Sequence, residues 1–164
     1  MATTIDTTGL QTRRTLRFET IDELLAEVDR IAEAERAGCL ECMGNWKCGQ
    51  IFGHLATWAG FLYVKAPLKT PWHIRLILGL LKNRIINGGM RPGVKIPNVP
   101  GGTVGTEPLS LDEGVTRYKA ALERLRRDPP TEPSPAFGTL THEQAIKLNL
   151  RHAELHLGFV REKP

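Results

Sequence analysis

The chain of 164 residues lacks any apolar run approaching the roughly 20 residues that a membrane-spanning helix needs. Its most apolar stretch, IRLILGLLKNR, is interrupted by Arg75 and Lys82. The opening residues, MATTIDTTGLQTRRTLRF, also lack the apolar core of a secretory signal. We therefore expect a protein with no membrane span and a cytoplasmic location.

Cysteine and aromatic residues are both scarce. The three cysteines make an odd number, which argues against the disulfide framework of a small secreted protein. Aromatic residues make up 6% of the chain, and none alternates with a basic run as a base-stacking platform would require. A net charge of +4 is only mildly basic and is spread along the chain, so we expect no nucleic-acid partner.

What the chain does contain is the composition of one ordinary globular domain. Hydrophobic residues account for 41% of it and charged residues for 24%, which is enough apolar material for a core. We predict a single domain over residues 1–164, with residues 1–15 flexible.

Helix-start signals recur along the chain. The stretches TIDE, SLDE and THEQ are capping boxes at Thr20, Ser110 and Thr141, and each precedes apolar residues at helical spacing. Another helical pattern begins near Asn45 and should end before Pro67. Four long amphipathic helices predict an all-α fold, a four-helix bundle.

A long crossover joins the second and third of these helices. It opens with TPWHIRLILGLLKNRII, which predicts a short, very apolar helix with Thr70 as its cap and Pro71 at its first position. A loop dense in glycine and proline follows. One bundle can cover only part of such a helix, so we predict a homodimer through residues 71–86. An alternative is that its basic residues rest on an anionic membrane.

The cysteines Cys39, Cys42 and Cys48 lie close together in CLECMGNWKCGQIFGH. A closed zinc site would need Cys48 and His54 as well, but one helix would place these two about 120° apart around its axis. A thioredoxin-type redox pair would need a βαβ unit, which the sequence does not predict. We therefore expect the cysteines to pack near a turn between helices and to bind no metal.

The histidines make a better candidate site. In RHAELH, His152 and His156 are four residues apart, hence about 40° apart on one helical face, a spacing that can chelate one ion. Their neighbours are apolar, and buried imidazoles need polar partners, so this pair and His54 require a polar network or a metal. The alternative is a solvent-facing pair beside Glu154 and Lys147.

The patterns W…GQIFGHLATW and LTHEQ…LRHAELHLGF resemble the DinB/YfiT-like superfamily of proposed metalloenzymes, and PAFGTLTHEQ resembles a branch known only as a domain of unknown function. The resemblance implies a four-helix bundle with a long connection between helices 2 and 3, which matches the crossover with its extra short helix that the residues predict. It also implies that His54, His152 and His156 hold a divalent metal, most often zinc or nickel. Relatives often carry a second histidine just before the last one, where this chain has Leu155.

The function that this resemblance implies is metal-dependent, thiol-dependent transfer or hydrolysis on a small-molecule substrate. No catalytic or cofactor-binding side chain is assigned, although Gln50, Trp58 and Asn149 should face the same pocket. The alternative function is a non-enzymatic helical bundle with a structural or vestigial metal site, acting as an oligomeric binding protein. We expect His142 to be exposed and His73 at most to line the pocket.

Overall fold

The computed structural model describes residues 13–68, 70–96 and 99–163. These residues are mainly helical, as predicted. The helices are α1 (Ile21–Arg36), α2 (Cys48–Gly60), α3 (Trp72–Gly88), α4 (Leu111–Arg127) and α5 (His142–Leu157), and two short strands are β1 (Leu40–Cys42) and β2 (Val160–Glu162). The expected flexibility of residues 1–15 falls mostly on residues 1–12, which lie outside the described ranges.

The three capping signals each start a helix at the predicted residue. Thr20, Ser110 and Thr141 all accept a hydrogen bond from the backbone N–H three residues later. At Thr141 the Gln144 side chain also accepts from the Thr141 N–H, which completes the capping box. These caps satisfy N–H groups that the first turn of a helix leaves without partners.

Helix α2 is shorter than predicted. It begins at Cys48, not near Asn45, and the Gln50 side chain accepts the Lys47 N–H at this start. It ends at Gly60, well before Pro67. Just past this end the Leu62 carbonyl accepts the N–H groups of Thr131 and Glu132, so a tertiary contact holds the chain in a turn there.

The crossover helix forms close to the predicted residues 71–86, but it is not a short helix. Helix α3 has 17 residues, as many as α4. Thr70 does not cap it, because the Thr70 hydroxyl donates to the Pro135 carbonyl at 2.8 Å. Most of the surface of this helix is left outside the core, as expected, since Ile86 is its one buried residue.

The core lies between α1, α2, α4 and α5. Helix α2 makes its most extensive contacts with α4, and α5 contacts α1, α2 and α3. One charged residue is also buried on α5: Arg151 donates to the Phe18 carbonyl and pairs with Glu154 at 2.9 Å. The largest fully buried apolar side chains in this core are Leu24, Val28, Ile31, Phe52, Leu55, Tyr118, Leu122, Leu125, Leu150 and Leu157.

The two short strands, which the sequence did not predict, tie the end of the chain to the segment before α2. They pair antiparallel with Cys42 opposite Val160, and Arg161 bonds to Glu41 at 2.9 Å. The Met43 N–H also donates to the Phe159 carbonyl at 2.9 Å. The loop that follows β1 is thereby held beside the C-terminal end of α5.

Candidate metal centre

Three histidines from two helices converge in the core. His54 lies on α2, and His152 and His156 lie one turn apart on α5. The His152 Nε2 atom is 3.3 Å from the Nε2 atom of His54 and 3.1 Å from that of His156. Their ligand atoms all lie within 4.8 Å of one another, so this group could hold a metal ion.

The spacing of the nitrogen atoms suits one small ion. Zinc ligands lie about 2.0–2.1 Å from the metal, so two of them at tetrahedral angles are roughly 3.3 Å apart. The observed separations of 3.1 and 3.3 Å are close to that value. A neutral imidazole carries one N–H, so the His152 Nε2 can donate to only one of its two neighbours. A shared cation satisfies all three nitrogens at once.

The orientation of His54 is fixed by the crossover. Its Nδ1 lies 2.8 Å from the carbonyl oxygen of Val104, in the segment between α3 and α4. A carbonyl only accepts, so Nδ1 carries the proton and Nε2 presents its lone pair to the other two histidines. A backbone carbonyl is a common second partner for a metal-binding imidazole and selects the ligating tautomer.

Burial keeps these imidazoles neutral. His54 is 2% exposed, and its burial lowers its pKa to about 4. Burial, together with the nearby His54, lowers the pKa of His152 to about 3, and burial lowers the pKa of His156 well below its ordinary value. A neutral imidazole is the form that binds a metal. Protons should therefore compete with a metal in the folded chain well below the ordinary imidazole pKa of about 6.5.

Two tryptophans form aromatic walls around the cluster. The Trp46 ring stacks on His156 with 5.3 Å between ring centroids and lies 4.9 Å from His54. The Trp58 ring lies 6.1 Å from His54 and 5.9 Å from His152. The Trp58 indole N–H is buried and has no hydrogen-bond partner among the described residues. The two rings therefore pack against all three imidazoles.

Gln50, Trp58 and Asn149 were the other side chains predicted to face the pocket. Of these, Trp58 lies beside the cluster as predicted. The Gln50 amide instead donates to the Thr106 carbonyl at 3.2 Å, and the Asn149 amide donates to the Ala145 carbonyl at 2.9 Å. Both side chains bond to backbone carbonyls, Gln50 to the crossover before α4 and Asn149 within its own helix.

The prediction that His142 is exposed is wrong. It is half-buried, and its Nε2 bonds to the Leu125 carbonyl at the end of α4. His73 is exposed beside Trp72. The alternative of a solvent-facing pair does not match the structure: His152 and His156 are half-buried and contact His54 and each other, while Glu154 and Lys147 pair with Arg151 and Glu143.

The three cysteines lie outside the histidine cluster. Cys39 is exposed, Cys42 is half-buried at the end of β1, and Cys48 is buried at the start of α2. Sequence reasoning also missed the roles of Trp46 and Val104. Trp46 stood in the quoted pattern without a role, and no signal in the sequence marks the Val104 carbonyl, because any residue supplies one.

Comparison with known families gives a match over most of the chain. The sequence model of the family described as "Protein of unknown function (DUF1569)" matches residues 10–163, nearly the whole chain. Neither the curated proteins nor the solved structures give a match.

Proposed function

The chain belongs to the DUF1569 family, and we propose that it binds one divalent metal ion, zinc or nickel, through His54, His152 and His156. The observation that carries this proposal is the convergence of three Nε2 atoms at 3.1 and 3.3 Å inside the core. Depressed imidazole pKa values support it, because the cluster is neutral and ready to ligate at neutral pH.

The donor set favours a catalytic metal over a structural one. Imidazole nitrogen suits zinc and nickel, and three protein ligands leave a coordination position open. When bound, the ion would supply Lewis acidity that makes water or a thiol reactive at neutral pH. We propose a metal-dependent transferase or hydrolase acting on a small molecule, with a thiol as the preferred second reactant. The class of reaction rests on the resemblance to the DinB/YfiT-like superfamily.

The chain's own side chains would position and shield the reactants. The Val104 carbonyl holds His54 in its ligating tautomer, and the Trp46 and Trp58 rings pack against the imidazoles and limit their movement. A substrate acceptor that reached the buried Trp58 N–H, which has no partner among the described residues, would form a hydrogen bond with it. An unpaired buried donor costs free energy, so a ligand that pairs with it gains affinity.

We further propose that α1, α2, α4 and α5 form a DinB-like four-helix bundle, with α3 carried by the crossover between α2 and α4. The contacts among these four helices and their shared core support this arrangement. In this arrangement the crossover contributes to the metal site, because it brings the Val104 carbonyl to His54.

Metal retention by histidine variants tests the proposal. Wild-type protein purified without an affinity tag, loaded with zinc or nickel and desalted, should retain one ion per chain by elemental analysis. His54→Ala, His152→Ala and His156→Ala should each lose stoichiometric binding, because two imidazoles hold the ion far less tightly than three. His73→Ala is the matched control, since that imidazole is exposed on α3, and it should retain the metal.

Two results would overturn the metal site. Wild-type protein that retains neither ion would reduce the cluster to a polar network, and the enzyme proposal would fall with it. Loss of metal in His73→Ala to the same degree would show that binding does not depend on the cluster.

A second candidate function is a non-enzymatic, oligomeric binding protein with a structural or vestigial metal site. The exposed apolar face of α3 favours it, with Trp72 77% and Leu80 79% exposed. No helix among the described residues is long and apolar enough to cross a membrane. Pelleting with anionic vesicles separates a membrane contact from a protein contact, and metal analysis separates both from the enzyme.

A further inference from the structure

Two of the three cysteines face each other outside the histidine cluster. Cys42 ends β1 and Cys48 begins α2, and their Sγ atoms are 3.2 Å apart. We infer that Cys42 and Cys48 form a reversible disulfide, which makes the loop between them a thiol-based redox site. This inference does not depend on metal binding.

The backbone already holds the two sulfur atoms near bonding distance. An S–S bond is about 2.0 Å long, so bond formation requires an approach of only about 1.2 Å. A different backbone contact holds each cysteine in place. Cys42 pairs with Val160 across the two strands, and the Gln50 side chain accepts the Lys47 N–H just before Cys48. A small movement of the loop is sufficient, with no rearrangement of the helices.

The two thiols are unequal, and this sets their order of reaction. Cys42 is half-buried, whereas Cys48 is 1% exposed. With the Cys48 S–H donating to Cys42, the hydrogen bond lowers the pKa of Cys42 and raises that of Cys48. Cys42 is thus the more accessible thiol and the one that ionises more easily, while Cys48 is the resolving thiol.

A small-molecule disulfide is a sufficient oxidant. The Cys42 thiolate attacks one sulfur of the disulfide, its S–S bond breaks, and the leaving thiolate takes up a proton. The Cys48 thiol then loses its proton, and its sulfur attacks the Cys42 Sγ and releases the second small thiol. Two protein thiols and one small disulfide become one protein disulfide and two small thiols, with two electrons passing to the oxidant.

The loop that this bond would close reaches the histidine cluster. Residues 43–47 include Trp46, whose ring stacks on His156. Tightening the loop should move this ring, so oxidation should change tryptophan fluorescence. The change should disappear in Trp46→Phe, which leaves Trp58 and Trp72 as they are. A wild-type fluorescence that is identical in both redox states would overturn the link to the cluster.

Mass mapping of wild-type protein tests the disulfide itself. The protein is equilibrated with mixtures of reduced and oxidised glutathione, its free thiols are alkylated, and its peptides are mapped. A Cys42–Cys48 disulfide should appear as the mixture becomes more oxidising, and dithiothreitol should remove it. Cys39, which is exposed and lies outside the pair, should take no part in a disulfide within the protein. Three alkylated cysteines at the most oxidising ratio, or a Cys39–Cys42 bond, would overturn the assignment.

Paired variants test the order of reaction on a Cys39→Ser background. With Cys48→Ser added, Cys42 should accumulate the mixed disulfide with glutathione, because no resolving thiol remains. With Cys42→Ser added, the buried Cys48 should accumulate several-fold less. The opposite ranking would contradict the roles assigned to the two thiols. If either variant fails to fold, the wild-type peptide map still decides whether the bond forms.

Discussion

The protonation of the histidine cluster is decided by individual neighbours. The Val104 carbonyl fixes the proton of His54 on Nδ1, and burial holds all three rings neutral. The cluster therefore has the charge state that a metal requires. In the unfolded chain the same rings are in water, where their pKa is about 6.5.

This difference predicts acid destabilisation of the metal-free protein. Between pH 6.5 and about 4 the unfolded chain takes up protons that the folded His54 does not, so the free energy of unfolding falls as the pH is lowered. Each such imidazole should contribute about 1.4 kcal/mol per pH unit. Urea unfolding with a chelator at pH 7, 6 and 5 measures the slope.

The control is the double variant His152→Gln, His156→Gln, which removes two of the titrating rings. Its unfolding free energy should depend less steeply on pH than that of the wild-type protein. A wild-type stability that stays constant from pH 6.5 to 5 would contradict the neutral, buried cluster.

At the scale of elements, glycines let α2 and α4 approach closely. A Cβ atom on Gly114 would lie 2.5 Å from the Gly49 carbonyl oxygen and 3.0 Å from the Gly49 Cα. A Cβ atom on Gly49 would meet the carbonyls of Leu109 and Ser110. Because these obstacles are backbone atoms, neither helix can yield without moving as a whole. This contact sets the position of α2, and hence of His54.

We therefore expect Gly114→Ala to destabilise the protein by about 1–3 kcal/mol, the usual cost of overpacking. Gly79→Ala on α3 is the matched control, since a Cβ there meets nothing within 4 Å. That control should be neutral or stabilise by up to about 1 kcal/mol through helix propensity. Chemical denaturation measures both changes, and equal stabilities for the two variants would argue against the close helix contact.

At the scale of the whole molecule, the apolar core does not depend on the metal site. Buried side chains from α1, α2, α4 and α5 form one continuous cluster. Removing a metal should therefore lower stability without unfolding the chain, unlike a zinc finger.

Zinc at 100 times its dissociation constant should raise the free energy of unfolding by about 2.7 kcal/mol. For a chain of this size that corresponds to a rise in Tm of roughly 5–10 °C. Circular dichroism during heating, with zinc or with chelator, measures both the shift and the helical signal. Loss of the helical signal on chelation at 25 °C would contradict an independent core.

The apolar face of α3 predicts a homodimer. Its most exposed members are Trp72, Leu76, Ile77 and Leu80. Leu76→Glu combined with Leu80→Glu should convert a dimer to a monomer by light scattering, because charges would be buried without partners in the interface. Val64→Glu is the control, as an exposed apolar residue that lies outside α3. A wild-type monomer at high micromolar concentration would argue against the dimer.

The sequence by itself predicted most of the helices, and it marked the three histidines as a candidate metal site. Capping boxes and helical periodicity are local properties, so Thr20, Ser110 and Thr141 marked their helices directly. The i, i+4 pair His152 and His156 is likewise a property of one helix. Apolar composition also predicted the exposed face of α3, because a helix that is apolar nearly all round has more apolar surface than one bundle can cover.

Only the tertiary structure decided the contacts between segments far apart in the chain. The ends of α2, the bond from His54 to Val104, and the position of Trp46 over His156 all depend on distant backbone groups. Cys42 and Cys48 lie close together because β1, which ends at Cys42, pairs with β2, the strand that follows α5. Backbone carbonyls and three-residue strands leave no pattern in a sequence, because every residue type supplies the same peptide groups. Tertiary packing determines which of these peptide groups form contacts.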